Sequence, residues 1–130
     1  MYKSLMENID IFKGDFEFTR EMRYFDGSLI LEFGSECWSL KFKQGELHSI
    51  DQEFEKQPSS AKIKLGGSLD EWNELLKKRP KPFFQCFQSA AVKHGMQISD
   101  TNETFAYLPG INRLIALLRE ISEENSNVKA

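Results

Sequence analysis

The segment Glu36 to Ile50, ECWSLKFKQGELHSI, alternates in a way that few folds can use. Trp38, Leu40 and Phe42 share one parity, while Cys37, Ser39, Lys41 and Lys43 share the other. A two-residue period belongs to a strand with one face buried and one face in water. Turn-forming pairs bracket the segment: Asp26-Gly27 lies between FEFTREMRYF and SLILEF, and Gly34-Ser35 and Gln44-Gly45 follow. Asp-Gly supplies the positive φ angles of a type I′ turn, so the first pair reads as a hairpin. Folding the chain there sets Tyr24 opposite Leu29 and Met22 opposite Leu31. The second turn sets Leu31 opposite Trp38 and Leu29 opposite Leu40; the third sets Phe42 opposite Leu47. All the turns then place Phe16, Phe18, Met22, Tyr24, Leu29, Leu31, Trp38, Leu40, Phe42 and Leu47 on one face. A slip of one residue would reverse every side chain, so this agreement predicts the register of a four-strand antiparallel meander. The opposite face carries Thr19, Glu21, Arg23, Glu32, Ser39, Lys41 and His48, as a wetted face should. Phe25, Ile30 and Ile50 are its apolar exceptions, to be covered by the N-terminal segment or by another subunit.

After the link DQEFEKQPSS, the run AKIKL predicts a further short strand ending at Gly66-Gly67. Ser68 and Glu71 have the spacing of a capping box, and Leu69, Trp72, Leu75 and Leu76 give the following helix an apolar stripe. Pro80 forbids its continuation. A second helix is expected from about Pro82 to His94, with Phe83, Phe84, Phe87 and Ala91 at helical spacing and a stop at Gly95. MQIS is a brief strand. The last helical region, Asn102 to about Glu124, is interrupted at Leu108-Pro109-Gly110, and its distal part carries Ile111, Leu114, Ile115, Leu118 and Ile121. The predicted class is α+β: a mostly antiparallel five- or six-stranded sheet with helices packed on one face. One domain spans residues 1–124, and the polar tail 125–130 is expected to fray.

Composition excludes several functions. Seventeen Lys and Arg against 20 Asp and Glu give a net charge of −3, unlike the basic surface that nucleic acids require. No apolar run is long enough to span a bilayer, and MYKSLMENIDIF lacks the apolar core of a signal peptide. The expected location is therefore the cytoplasm, with at most transient membrane contact. Cys37 and Cys86 form no CxxC pair and are expected to stay reduced as buried structural thiols, Cys86 sitting among aromatic and amide neighbours. His48 and His94 cannot build a zinc site with them at these spacings. GGSLD, Gly66 to Asp70, reads as a strand-to-helix turn rather than an anion cradle, because Asp70 and Glu71 already occupy the helix N-terminus. KKRPKP, Lys77 to Pro82, reads as a solvated helix C-terminus. Neither a phosphate loop nor a nucleophile elbow is present, so no cofactor, metal or catalytic residue is expected.

The apolar helix stripes and the apolar sheet face must meet in one small domain. A pocket between them would be lined by aromatics and methionine, which suits a hydrophobic ligand. The order of elements then resembles the sterol carrier protein domain, the non-specific lipid-transfer fold. The likeness runs from about Phe16 to Ile121: the strand Trp38 to Leu47, the strand Ala61 to Leu65, the helix Ser68 to Leu76, the glycine-led strand Gly95 to Ser99 and a closing apolar helix. Against that pattern, Ser99-Asp100 replaces a second glycine, and the N-terminal helix is shortened to about Met1 to Asn8. The resemblance implies a tunnel for an apolar molecule between sheet and helices, with the terminal helix as its lid. The expected function is non-catalytic binding or carrying of a lipid, fatty acyl or sterol-like ligand. Its walls would be Trp38, Leu40, Trp72, Leu76, Phe83, Phe84, Phe87, Met96, Leu114 and Leu118, and Pro109-Gly110 would be the hinge. The alternatives are a protein-interaction module with a filled core, and a small α+β cone enzyme of the isomerase or dehydratase kind with Asp100 as its acid or base.

Overall fold

The computed structural model describes residues 4–53, 61–77, 82, 84, 86–98 and 101–129, with backbone alone at 53, 61, 101 and 123–129. The strands form where the alternation predicts them. β1 (Gly27–Phe33), β2 (Glu36–Lys43) and β3 (Glu46–Glu53) make an antiparallel meander. Leu31 lies beside Trp38, Leu29 beside Leu40 and Phe42 beside Leu47, as the turns at Gly34-Ser35 and Gln44-Gly45 require. β4 (Ala61–Gly67) then lies parallel to β1, setting Ile63 beside Leu29 and Leu65 beside Leu31. The two-residue β5 (Gln97–Ile98) completes the order β3-β2-β1-β4-β5. The sheet is therefore mixed, with β1 at its centre.

The predicted first strand is a helix instead. Three short helices precede the sheet: α1 (Ser4–Glu7), α2 (Ile9–Gly14) and α3 (Phe16–Glu21). Asp15 caps α3, accepting a hydrogen bond from the Phe18 N–H at 2.9 Å, and this side-chain cap favours helix entry over extension. Phe18 and Met22, four residues apart, are both buried, whereas Phe16 and Tyr24 are 77% and 76% exposed. The alternation of Phe16 with Phe18 fits either period over so short a run, and the helical spacing Phe18–Met22 wins. The hairpin at Asp26-Gly27 is lost with that strand, so Tyr24 and Met22 pair with neither Leu29 nor Leu31, and the meander has three strands rather than four. Asp26 instead accepts a hydrogen bond from the Gln44 N–H at 3.3 Å, and the Gly45 N–H donates to the Phe25 carbonyl at 2.9 Å. Both bonds fasten the β2–β3 turn to the segment leading out of α3.

Two of the apolar exceptions now have an explanation. His48 is an extra residue in β3: Phe42 pairs with Leu47, but Lys41 pairs with Ser49 and Leu40 with Ile50. This bulge reverses the parity of β3, so Leu47 and Ile50 both join the core. Phe25, outside the sheet, packs edge-on against Phe42 and Tyr107 with ring centroids 5.3 and 5.0 Å away. Ile30 remains on the opposite face, where it is buried along with Ser28, Cys37 and Ser39; Ser39 thus departs from its expected place in water.

Helices α4 (Leu69–Leu75), α5 (Phe87–His94), α6 (Thr101–Ala106) and α7 (Leu108–Lys129) follow the strands. In α4, Trp72, Leu75 and Leu76 face the core, but Leu69 is 47% exposed and leans over the Gly34 turn instead. α5 begins five residues later than expected, at Phe87 rather than Pro82, and ends at Gly95 in the left-handed conformation that glycine tolerates. Ala90, rather than Ala91, is its fully buried alanine. The break in the last helical region falls at Tyr107, just ahead of Leu108-Pro109-Gly110. Pro109 consequently occupies the first turn of α7, where its missing N–H costs nothing. Pro80 and the link residues 54–60 lie outside the described residues.

Candidate functional site

The site is built from the sheet upward. Trp38 and Leu40 of β2, Leu29 and Leu31 of β1, and Ile63 and Leu65 of β4 form the apolar sheet face. α4 is aimed at it by its capping box: the Ser68 hydroxyl accepts from the Glu71 N–H at 3.1 Å, and the Glu71 carboxylate accepts from the Ser68 N–H at 2.8 Å. This fixes the first turn so that Trp72 points inward, where its indole N–H donates to the Glu32 carbonyl at 2.7 Å. The Trp72 ring meets Phe33 at 4.6 Å and Phe87 at 5.5 Å between centroids. A tryptophan thus joins α4, α5 and the central strand.

Nine of the ten predicted wall residues belong to this one buried cluster: Trp38, Leu40, Trp72, Leu76, Phe84, Phe87, Met96, Leu114 and Leu118. Phe83 lies outside the described residues. Phe84 precedes α5 and stacks on His94, 4.0 Å between ring centroids and 14° from parallel. One polar group in the cluster stands apart. Trp38 Nε1 is buried and has no hydrogen-bond partner among the described residues. The Thr104 hydroxyl of α6 is buried and likewise unpartnered among them.

Two arginines hold α7 over the sheet, and the sequence pattern pointed to neither. Arg113 makes a two-pronged bond to Asp15, Nη2 to Oδ1 at 2.8 Å and Nε to Oδ2 at 3.0 Å, and approaches Glu17 at 3.2 Å. Asp15 is thus both the cap of α3 and the anchor of α7. The Arg113 hydrogen bonds hold its carboxyl below the usual carboxylate range; partial burial opposes this and the Phe18 N–H adds to it. Arg113 is raised in turn, chiefly by the same hydrogen bonds. Farther along α7, Arg119 donates from Nε to the Leu75 carbonyl at 2.8 Å and from Nη2 to the Phe84 carbonyl at 3.0 Å. It thereby satisfies a carbonyl at the end of α4 that the helix leaves free, while desolvation lowers its pKa. Gly110 permits the close seating of α7, because a Cβ there would fall 2.5 Å from the Met22 sulfur. The sequence signal available was Gly14-Asp15, a stop followed by a capping residue.

The groove of about 620 Å³ on the surface lies elsewhere, between α2, α3 and the β2–β3 turn, with Lys13, Arg23, Glu46 and His48 on its rim. A second recess of about 460 Å³ runs along α4 and touches Phe84. Among the described residues no group of three or more His, Cys, Asp or Glu side chains is placed to hold a metal, and no helix is long and apolar enough to cross a membrane. Cys37 is buried and its thiol lies 3.7 Å from the Glu32 carboxylate; Cys86 is half-buried, 3.1 Å from the Ser89 hydroxyl. His48 is exposed, and His94 ends α5 with Nε2 at 3.1 Å from the Pro82 carbonyl. Asp100 lies outside the described residues.

No family model and no curated protein sequence matches the chain. Solved structures do. A conserved hypothetical protein of Thermus thermophilus, described as possibly a sterol carrier protein, superposes with a TM-score of 0.68 at 14% identity, over 93% of this chain and 87% of its own. Sterol carrier protein 2 superposes with a TM-score of 0.65 at 16% identity, over 84% and 88% of the two chains. A ubiquinone synthesis protein, UbiJ, is similar with a TM-score of 0.51 at 14% identity, over 89% and 88%. At these identities the likeness is one of fold: the α+β fold of this chain is similar to that of sterol carrier protein 2.

Proposed function

We propose that the protein binds and carries a hydrophobic small molecule, a lipid, fatty acyl or sterol-like compound, between the sheet and its helices, without catalysis. The observation that supports this reading is the single apolar cluster in which β2, α4, α5 and α7 converge, in a fold shared with sterol carrier protein 2. The driving force is removal of apolar surface from water, about 25 cal/mol per Å². α7 acts as the lid, pivoting near Tyr107–Gly110 and held shut by Arg113 and Arg119. Exchange needs those bonds to open, and each ends on a group that water can satisfy in the open state.

The test is direct. Native mass spectrometry of freshly purified protein should show a co-purified lipid mass, and a fluorescent sterol or fatty-acid probe should bind saturably and be competed away. Ala90 is fully buried on α5, so Ala90→Phe should block the probe while the protein stays folded. A protein-interaction module with a filled core would give the opposite pair of results: no probe binding by the wild type, and Ala90→Phe destabilised by about 1–3 kcal/mol through overpacking.

A further inference from the structure

The two buried tryptophans of this core are treated differently. Trp72 spends its indole N–H on the Glu32 carbonyl at 2.7 Å. Trp38 is only 2% exposed, and its N–H meets no acceptor among the described residues. An indole nitrogen is a donor only, with no rotor or tautomer to turn the proton elsewhere. A buried donor left without a partner forfeits the hydrogen bond it made to water, and such groups are rare enough in native proteins to need a cause. Apolar bulk is not that cause, since phenylalanine would fill a sheet position with no donor to satisfy.

Trp38 also occupies a suitable place. The register sets it between Leu31 of β1 and Gln52 of β3, and Gln52 is exposed. Trp38 thus stands one strand in from the β3 edge of the sheet, itself buried beside an exposed neighbour. Among the described residues no cation is buried with it: the one buried charged residue is Glu74, already paired with Lys77 at 2.7 Å. An ionised carboxylate brought to Trp38 would lose its hydration without gaining a counter-charge. A neutral carbonyl loses far less and accepts the hydrogen bond equally well.

We infer that Trp38 Nε1 is the polar handle of the ligand site, and that the ligand carries a neutral acceptor oxygen, a ketone, ester or quinone carbonyl, on the part of the molecule that is buried. This rests on the carrier reading above and adds the chemical class of the cargo. Displacement of diphenylhexatriene, itself a hydrocarbon, by 2-tridecanone and by tridecane separates the two. In Trp38→Phe both ligands lose the same wall contacts, and the affinity for the ketone should fall about tenfold further than that for tridecane, the value of one hydrogen bond. In wild-type protein labelled with ¹⁵N-tryptophan, the ketone should move the Trp38 indole resonance and leave that of Trp72 in place, a readout that does not depend on the variant folding. Equal losses for the two ligands, or a Trp38 resonance that responds no more to the ketone than to the alkane, would overturn the handle while leaving the carrier intact. Failure of wild-type protein to bind diphenylhexatriene and both competitors would remove the carrier reading, and the handle with it.

Discussion

Replacing Asp15 tests the attachment of the terminal helix, because this one carboxylate does two jobs that substitution can separate. Asp15→Ala removes the cap on the Phe18 N–H, a loss of about 0.5–2 kcal/mol, and the two bonds from Arg113. Hydrogen bonds to charged groups contribute about 1.5–3 kcal/mol, but Arg113 keeps Glu17 at 3.2 Å and recovers part of that. The expected total is about 2–4 kcal/mol. Asp15→Asn retains a good cap and an acceptor while losing the charge, and should cost about 1–2 kcal/mol. Urea unfolding of both variants, combined with Arg113→Ala in a double-mutant cycle, isolates the pair. The pH dependence has a definite sign. The Asp15 pKa is lowered in the folded protein, so its contribution is complete above the ordinary carboxylate pKa and disappears as pH falls through the lowered folded value. The gap between wild type and Asp15→Asn should therefore be flat from neutrality down to about pH 5 and close in stronger acid. A gap that widens on acidification, or a coupling energy near zero, would refute the claim that Arg113 and Asp15 hold α7 down.

Trp38→Ala should destabilise the domain by about 3–5 kcal/mol in urea melts, the range for losing a large buried aromatic. Lys41→Ala, on the opposite parity of the same strand and joined to Asp51 only by an exposed contact of 3.8 Å, should change stability by less than about 1 kcal/mol; equal losses would mean the face assignment is wrong. Gly45→Ala should cost about 2–4 kcal/mol, because φ there is +81° and a Cβ would collide with the Arg23 carbonyl. Gly14→Ala, with open space around the new methyl, should be neutral or slightly stabilising, and a similar penalty at both glycines in thermal melts would count against this account of the turn.

The sheet was legible in the sequence because β1 and β2 satisfy two independent constraints, side-chain parity and turn chemistry. Where only one operated, the reading slipped. Phe16 to Phe25 offered alternation over a few residues and a plausible turn, yet Asp15 supplied a helix cap and Phe18 and Met22 a helical spacing, and tertiary packing decided between them. The bulge at His48 was invisible for a related reason: an inserted residue leaves the composition of a strand unchanged and alters only its parity beyond that point. Parallel pairing of β4 with β1 depends on where the link returns, which local patterning does not encode. Nine of the residues expected as walls could be placed in the buried cluster in advance, since burial in this core follows apolar periodicity. The arginines could not, because Arg113 lies 98 residues from Asp15 and Arg119 lies 44 from Leu75, and exposed-looking charges at helical spacing carry no sign of their partners.

The extra residue in β3 has a consequence for how the protein behaves among copies of itself. A sheet with a long, flat outer strand presents a row of free N–H and carbonyl groups on which a second chain can add. Here one margin of the sheet is β3, interrupted by its bulge and bearing Glu46 and Asp51, and the other is β5, two residues long. Among the described residues the bulge interrupts the β3 ladder, and β5 is too short to carry a long one. A domain that keeps so much apolar surface inside is thereby less open to polymerising through its backbone.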